Sequence, residues 1–499
     1  MNPTDEQQLI IDAFKTDQDL VIEALAGTGK STTLKMLGHD CYPDRQGTYI
    51  AFNRAVAQEA RSGGFPANVD CRTGHSLAAR ATSSTYGHKM DGGRIMSKDL
   101  AEEFGITKWF RTAGTKVKDI SSWRIAAMAR QTIERYCRSD DEHVLAKHVP
   151  YVEGVANMDE LRQTVLPYAV RLWAMMVDPS SPMPFSAMGG RGDDAYMKIW
   201  ALGDPKLYGH FVMVDESQDT NGVLAGVLRK QDHLQRIFVG DSRQRLFDWR
   251  GSVDVMNEFS TGAEVLYLTQ SFRFGEAVAE EANRWLGYLG EEITVRGLES
   301  IDSEVGPVDE PDAVLCRTNA DVVDQALVAQ EKGVRVGIVG GVDEIMSMSQ
   351  AADQLRQDGK TSHRDLSIFK SWRDVVTYVD EEKPGGTFAT MVKLIERYGT
   401  TKVQQIAGNC VPMGEAERVL ATVHKVKGLE WGSVAIDGGV APGKDEQDDP
   451  DGSQSDFMVA YVAVTRAKEE LDTTAIEYFH RRREMQRRIV ESRPAAAGK

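Results

Sequence analysis

Short runs of apolar, often β-branched residues alternate along this chain with longer stretches whose apolar positions recur every three or four residues. The runs are DLVIEA (19–24), TYIAF (48–52), HFVMVDE (210–216), RIFVGD (236–241), AVLCRT (313–318), VRVGIVG (334–340) and SVAIDG (433–438). Strands that are continuously apolar and separated by helices indicate a parallel sheet covered on both faces. Four of the runs precede residue 242 and three follow residue 312, which predicts two α/β lobes joined near Phe259-Ser260-Thr261-Gly262. Each lobe is interrupted by a long, mainly helical pattern, exemplified by WRIAAMARQTIERYCR (123–138) and TFATMVKLIERYG (387–399). The expected layout is a first lobe at 1–80 and 200–262 with an insertion at 81–199. A second lobe follows at 263–357 and 415–490 with a small insertion at 358–414, then a flexible tail at 491–499.

Composition narrows the class. Apolar residues make up 41% and charged residues 27% of the 499 positions, which argues against a disordered or fibrous chain. No run of about 18 apolar residues occurs, so no membrane-spanning helix is expected. The start, MNPTDEQQ, lacks the basic and apolar segments of a signal peptide. The expected location is the cytoplasm, or a nucleus where the source has one. Five scattered cysteines form no CxxC pair, so reduced thiols are expected rather than disulfides or a zinc site. The net charge of −16 speaks against coating nucleic acid through bulk charge. Screening beyond roughly 8 Å leaves the matter to local patches. One such patch is His480-Arg481-Arg482-Arg483 with Arg487 and Arg488, equally readable as a solvated helix face or as a DNA contact. The acidic stretch 444–456 reads as a surface loop whose spacing does not match a calcium site.

Two segments carry recognisable chemistry. DLVIEALAGTGKSTTLKML runs from strand through a glycine-rich loop to helix, and Ala24-x-x-x-x-Gly29-Lys30-Ser31 fits a P-loop except at Ala24. Backbone N–H groups of such a loop cradle anionic oxygens, and the helix N-terminus adds a positive field. Lys30 would reach the β- and γ-phosphates and Ser31 would ligate Mg²⁺. A P-loop enzyme also needs a metal-side carboxylate and a group that activates water. FVMVDESQ offers Asp215 for the first and Glu216, as general base, for the second.

The order of these and further blocks resembles superfamily 1 helicases of the UvrD-like group. It most resembles the F-box DNA helicases, through AFNRAVAQEA, AVLCRTNA, the turn at 339–341 and FKSWRDVVTYVDEE (369–382). Nothing before Thr4 has room for an F-box, so a ubiquitin-ligase role is not expected. The resemblance implies two RecA-like P-loop lobes with parallel sheets, an ATPase using Mg²⁺, and single-stranded and forked DNA as substrate. It implies that Gln7 recognises adenine and that Ala26, Gly27, Thr28, Gly29, Lys30, Ser31 and Thr32 form the nucleotide loop. Asp215 and Glu216 match the acidic block, Gln244 the residue that senses the γ-phosphate, and Arg273 an arginine that reaches the phosphates from the second lobe. Phe272 would stack on adenine, Glu430 would lie near the ribose, and Arg466 matches the arginine finger. DNA contacts are implied for Phe52, Asn53, Thr73, His75 and His424. Thr32, Ser271 and Phe272 depart from the residues usual in relatives. Only 33 residues follow Arg466, so a fused nuclease is not expected.

The leading expectation is an ATP-driven 3′→5′ DNA helicase serving repair or recombination. Two rivals stay open: a translocase that strips proteins from DNA with little unwinding, and a binding module in which ATP acts only as a switch. Phe247 and Trp249 follow Gln244 just after a predicted strand end, at a spacing that lets two aromatic rings share one face. They read as base platforms or as core. As a platform, Trp249→Ala loses about 1–3 kcal/mol of base stacking. Unwinding of a 3′-tailed duplex then falls far more than ATP turnover without DNA. Parallel measurement of both on one preparation, with a melting curve, separates platform from core.

Overall fold

The computed structural model describes residues 2–90, 95, 97–107, 120–152, 155, 157–188, 192–246, 254–363, 365–366, 369–382, 387–442 and 452–491. The chain divides into two compact units, Met1–Ala24 with Gly29–Leu268, and Leu25–Thr28 with Thr269–Lys499. Phe247 and Trp249 lie outside the described residues, as does most of the acidic stretch.

The first unit is built on a six-stranded parallel sheet. Its strands are β1 (Leu20–Ala24), β2 (Gly47–Ala51), β3 (Val69–Thr73), β4 (Phe211–Val214), β5 (Gln235–Gly240) and β6 (Glu264–Leu268), in the order β3-β2-β4-β5-β1-β6. Both faces are covered, which is why the central strands are apolar without alternation. On β4, Phe211 and Met213 join a cluster with Phe14, Leu34 and Tyr49. Val212 and Val214 join another with Leu228, Phe238 and Met256. Each such side chain contributes about 1.5–3 kcal/mol by leaving water. The interruption in this unit is helical and has a core of its own, including Ile125, Ile133, Leu161, Val165 and Phe185. Its helices include Gly74–Met90, Ser122–Arg138, Met158–Val177 and Asp193–Leu202.

The second unit repeats the plan. Strands β7 (Glu304–Val305), β8 (Ala313–Cys316), β9 (Val336–Ile338), β10 (Arg418–Thr422), β11 (Trp431–Ile436) and β12 (Ala467–Asp472) form a parallel sheet in the order β7-β12-β11-β8-β10-β9. The fold is thus α/β with two parallel sheets of RecA-like type. Its interrupting helices do not form a separate core. Leu355, Trp372, Ile395 and Ile406 pack into one cluster with Val314, Val323 and Leu420 of the sheet layer. The five cysteines are free thiols. Among the described residues no helix is long and apolar enough to cross a membrane.

The basic C-terminal segment is not a uniformly solvated face. The helix Glu477–Glu491 turns Phe479 and His480 inward onto the helix Glu276–Tyr288. Phe479 stacks on Trp285 at 5.5 Å between ring centroids. With its proton on Nε2, His480 donates to Glu281 Oε1 at 3.0 Å while Nδ1 accepts the Tyr288 hydroxyl at 2.8 Å. Trp285 Nε1 donates to the same carboxylate at 2.9 Å. Burial alone would raise the Glu281 carboxyl, but the His480 hydrogen bond and the Arg284 charge outweigh it and hold the group below its ordinary value.

A carboxyl whose folded pKa is depressed stabilises the fold above its unfolded value and loses that contribution as pH falls through the folded one. The melting temperature is therefore expected to drop as pH is lowered from neutrality to the acid side of the carboxylate range, and Glu281→Gln should flatten part of that drop. His480→Ala, which leaves a buried carboxylate short of a donor, should cost roughly 3 kcal/mol at neutral pH. Thermal melts of the three proteins across pH check both.

Candidate nucleotide site and nucleic-acid face

In the first unit, the carboxyl ends of β1, β4 and β5 lie side by side. Open α/β sheets bind ligands in the crevice beyond such ends. β1 ends at Ala24 and the chain turns through Gly27 and Gly29, both with left-handed φ (+74° and +80°) that a side chain would strain. Gly29 caps the helix Lys30–Asp40, so the backbone N–H groups of Lys30 and Ser31 stand at a helix N-terminus. The Lys30 ammonium lies 3.3 Å from the Glu216 carboxylate. Asp215, directly after β4, is buried, and its Oδ2 accepts from the Ser31 hydroxyl at 3.5 Å and the Tyr49 hydroxyl at 2.6 Å.

A chain of side-chain bonds runs on from Glu216. Gln218 Nε2 donates to Glu216 Oε2 at 2.5 Å, and Gln218 Oε1 accepts from the backbone N–H of Asp241 at 3.2 Å. Asp241, just after β5, accepts from Gln244 Nε2 at 2.7 Å. Gly240 is required here because a Cβ would overlap the Gln218 amide oxygen. Glu216 itself takes a left-handed φ of +49°, a conformation that costs a non-glycine residue on the order of 1 kcal/mol or more. The structure thus brings Lys30, Ser31, Asp215, Glu216 and Gln244 together.

Burial, then the adjacent Glu216 charge, raises the Asp215 carboxyl against the opposing Tyr49 bond and Lys30 charge. Burial likewise raises Asp241, opposed by Lys30 and Arg243. Burial and the Asp215 charge push the Tyr49 phenol far up, so it is a donor. A hydroxyl and a carboxylate are hard oxygen donors suited to Mg²⁺. An oxygen set crowded with negative charge is what a divalent cation relieves. Among the described residues no group of three or more His, Cys, Asp or Glu could hold a metal unaided. The pair therefore fits a cation that shares phosphate oxygens.

Other residues are placed less directly. Gln7 is buried, with Oε1 accepting from the Thr4 backbone at 3.0 Å and Nε2 donating to Thr33 at 3.2 Å, a capping box that holds the helix Asp5–Phe14. Thr32 is exposed on the helix after the loop. In the second unit, Phe272 is 45% exposed. Arg273 Nε donates to Glu430 Oε2 at 2.6 Å and Nη1 to the Thr465 carbonyl at 3.1 Å, and Lys468 sits 3.2 Å from Glu430. Burial would raise Glu430, but Arg273 outweighs it and lowers the carboxyl. Arg466 is only 2% exposed and donates to the Val462 carbonyl and the Thr465 hydroxyl at 3.0 and 3.1 Å, so it is not a surface ion pair. His424 is half-buried in the turn after β10.

Two of the blocks expected to meet DNA, at Phe52 and at Thr73 with His75, line a cavity of about 430 Å³ in the first unit, together with Asp194, Asp215 and Glu216 among others. Phe52 is exposed after β2, and Asn53 caps the next helix by accepting from the Val56 N–H at 2.9 Å. Thr73 and Ser76 exchange bonds in the turn that opens the helix Gly74–Met90. His75 Nε2 stands 3.4 Å from Asp194, which also accepts from Arg138 Nε at 2.8 Å. Burial raises Asp194, but His75 and Arg138 outweigh it and leave the group lowered. Sequence reasoning missed Asp194, Arg138, Asp241 and Tyr49. Of these only Asp241 had a signal, as the acid ending an apolar strand in VGDSRQ.

No family model matches the chain. It is similar to the F-box DNA helicase protein 1 of Schizosaccharomyces pombe, 25% identical over 94% of this chain and 57% of that protein. It is similar to the F-box DNA helicase 1 of Gallus gallus, 27% identical over 93% of this chain and 48% of that protein. A probable DNA helicase of Mycoplasma pneumoniae is 34% identical over 20% of each chain. The chain thus spans about half the length of the longer relatives it matches, and its likeness to the F-box DNA helicases extends over nearly all of its own length.

Proposed function

We propose that this chain is an ATP-driven DNA helicase that moves 3′→5′ on a single strand and separates forked duplex. The observation that carries the reading is the unbroken set of contacts from Lys30 through Glu216, Gln218 and Asp241 to Gln244 at the ends of adjacent parallel strands. The likeness to proteins named DNA helicases supports it. Lys30 rests on Glu216 and would exchange that partner for the β- and γ-phosphates. Glu216 is then released to accept a proton from the attacking water, with Gln218 holding its other oxygen. Ser31 and Asp215 would hold magnesium, which when bound neutralises charge on the phosphates. Gln244, tied to Asp241, would report the γ-phosphate. The second unit would supply Arg273 and Arg466 as cations for the transferring group, with Phe272 on the base and Glu430 near the ribose. Phe52, Asn53, Thr73, His75, His424, Phe247 and Trp249 would touch the single strand, and Gln7 the adenine edge.

Two substitutions separate binding from chemistry. Lys30→Ala should weaken nucleotide binding. Glu216→Gln should bind Mg·ATP normally but turn it over about 10²–10⁴-fold more slowly. Normal turnover in Glu216→Gln would falsify the general-base role. Wild-type turnover should rise with single-stranded DNA, and a 3′-tailed duplex should be opened in preference to a 5′-tailed one.

Arg466→Ala should remove the DNA stimulation, since an arginine finger is worth about 10³–10⁵ in rate in other NTPases. A melting curve of the variant shows whether the buried guanidinium is also holding the fold. DNA-stimulated turnover with protein displacement but no strand separation would identify a translocase. A well-folded wild type with no turnover would identify an ATP switch.

A further inference from the structure

Tyr49 lies on β2 and is 1% exposed. Its register partner on β4 is Met213, two residues before Asp215, so the ring extends along the face from which Asp215 projects. The ring packs on Phe65 at 4.6 Å between centroids, in a cluster with Leu34, Cys71 and Met213. Phenylalanine would satisfy that packing. A hydroxyl placed there without a partner would cost free energy, and the partner it finds is Asp215 Oδ2 at 2.6 Å, the length of a charge-assisted bond.

The two oxygens of Asp215 are held from different sides. Oδ1 accepts the backbone N–H of Glu216 at 2.9 Å, and Oδ2 accepts the phenol and faces the Ser31 hydroxyl. The backbone bond alone leaves the carboxylate free to pivot about that oxygen. The second bond removes the pivot and leaves Oδ2 directed at Ser31. We propose that Tyr49 is a positioning residue whose hydroxyl orients the Asp215 carboxylate toward Ser31 for a divalent cation. This rests on the reading of Ser31 and Asp215 as the magnesium side of the ATPase. Partners that orient ligating carboxylates are part of how a metal site sets its affinity.

The test is a Mg²⁺ titration of fluorescent ADP binding to the full chain, wild type against Tyr49→Phe, with a second series in EDTA and a melting curve. In Tyr49→Phe the Mg²⁺ concentration for half-maximal binding should rise about tenfold, with affinity in EDTA essentially unchanged and the melting temperature lowered only by the few degrees that one lost hydrogen bond costs. Tyr49→Met fills most of the same space without a donor, and the same shift is expected of it should the phenylalanine variant fail to fold. An unshifted Mg²⁺ midpoint in a folded variant overturns the proposal. So does a parallel loss of EDTA binding and melting temperature, which a purely structural tyrosine would give. Absence of Mg²⁺-dependent nucleotide binding in the wild type would instead overturn the ATPase reading itself.

Discussion

One ammonium group, that of Lys30, is the charge shared by the two buried carboxylates that follow β4 and β5, Asp215 and Asp241. Asp215 and Asp241 are both removed from water, and burial raises each of them; the Lys30 charge opposes that rise in both. Glu216, 3.3 Å away, takes the direct ion pair. Topology makes this arrangement attainable. In the order β4-β5-β1 the three strands are neighbours and parallel, so the residues that follow each of them emerge on one edge. Reversing any one strand would send its loop to the opposite edge and strand a carboxylate in the core without a cation.

The second unit holds its cations differently. Arg273 is tied to Glu430 and to the Thr465 carbonyl, and the buried Arg466 donates to the Val462 carbonyl and the Thr465 hydroxyl. Breaking a buried charge pair by removing one partner is expensive. Under the proposed ATPase, phosphate binding therefore has to replace existing partners rather than find bare charge. Lys30 leaves Glu216, and Arg273 leaves Glu430. Exchange of partners keeps each step small, and in the first unit it releases the carboxylate proposed to activate water at the moment the phosphates arrive.

The central strands were legible because burial on both faces writes an uninterrupted apolar run. All seven runs read from the sequence are strands, within a residue or two at their ends. Of the strands that were not read, β10 is buried and lies between β8 and β9, while others have mixed surroundings. β3 and β6 are edge strands whose Asp70, Glu264 and Tyr267 face solvent, and β12 carries Lys468, Glu469 and Glu470. The P-loop and the acidic block were legible as chemistry because their residues are close in sequence. The bonds of Tyr49 to Asp215 and of His75 to Asp194 were not, because each joins residues more than a hundred positions apart. A tyrosine in an apolar strand carries no mark of where its hydroxyl points.

That last limit bears on the helical segment interrupting the first unit, which from sequence looked like an appendage. Its own core makes it a stable body, but it also reaches the sheet edge through charge. Asp194 opens the helix Asp193–Leu202, and Arg138 closes the helix Ser122–Arg138. Together they hold His75, the first side chain after the turn that follows β3. The cavity between His75 and Glu216 is thus walled by the sheet and by the inserted helices alike. Asp194 is mostly buried, yet its bonds to His75 and Arg138 hold its carboxyl below the ordinary value. A movement of the insertion relative to the sheet would have to break or carry with it the His75 contact. In this chain His75, one of the residues proposed to meet DNA, is therefore joined to the inserted helices as well as to the sheet edge that carries Glu216.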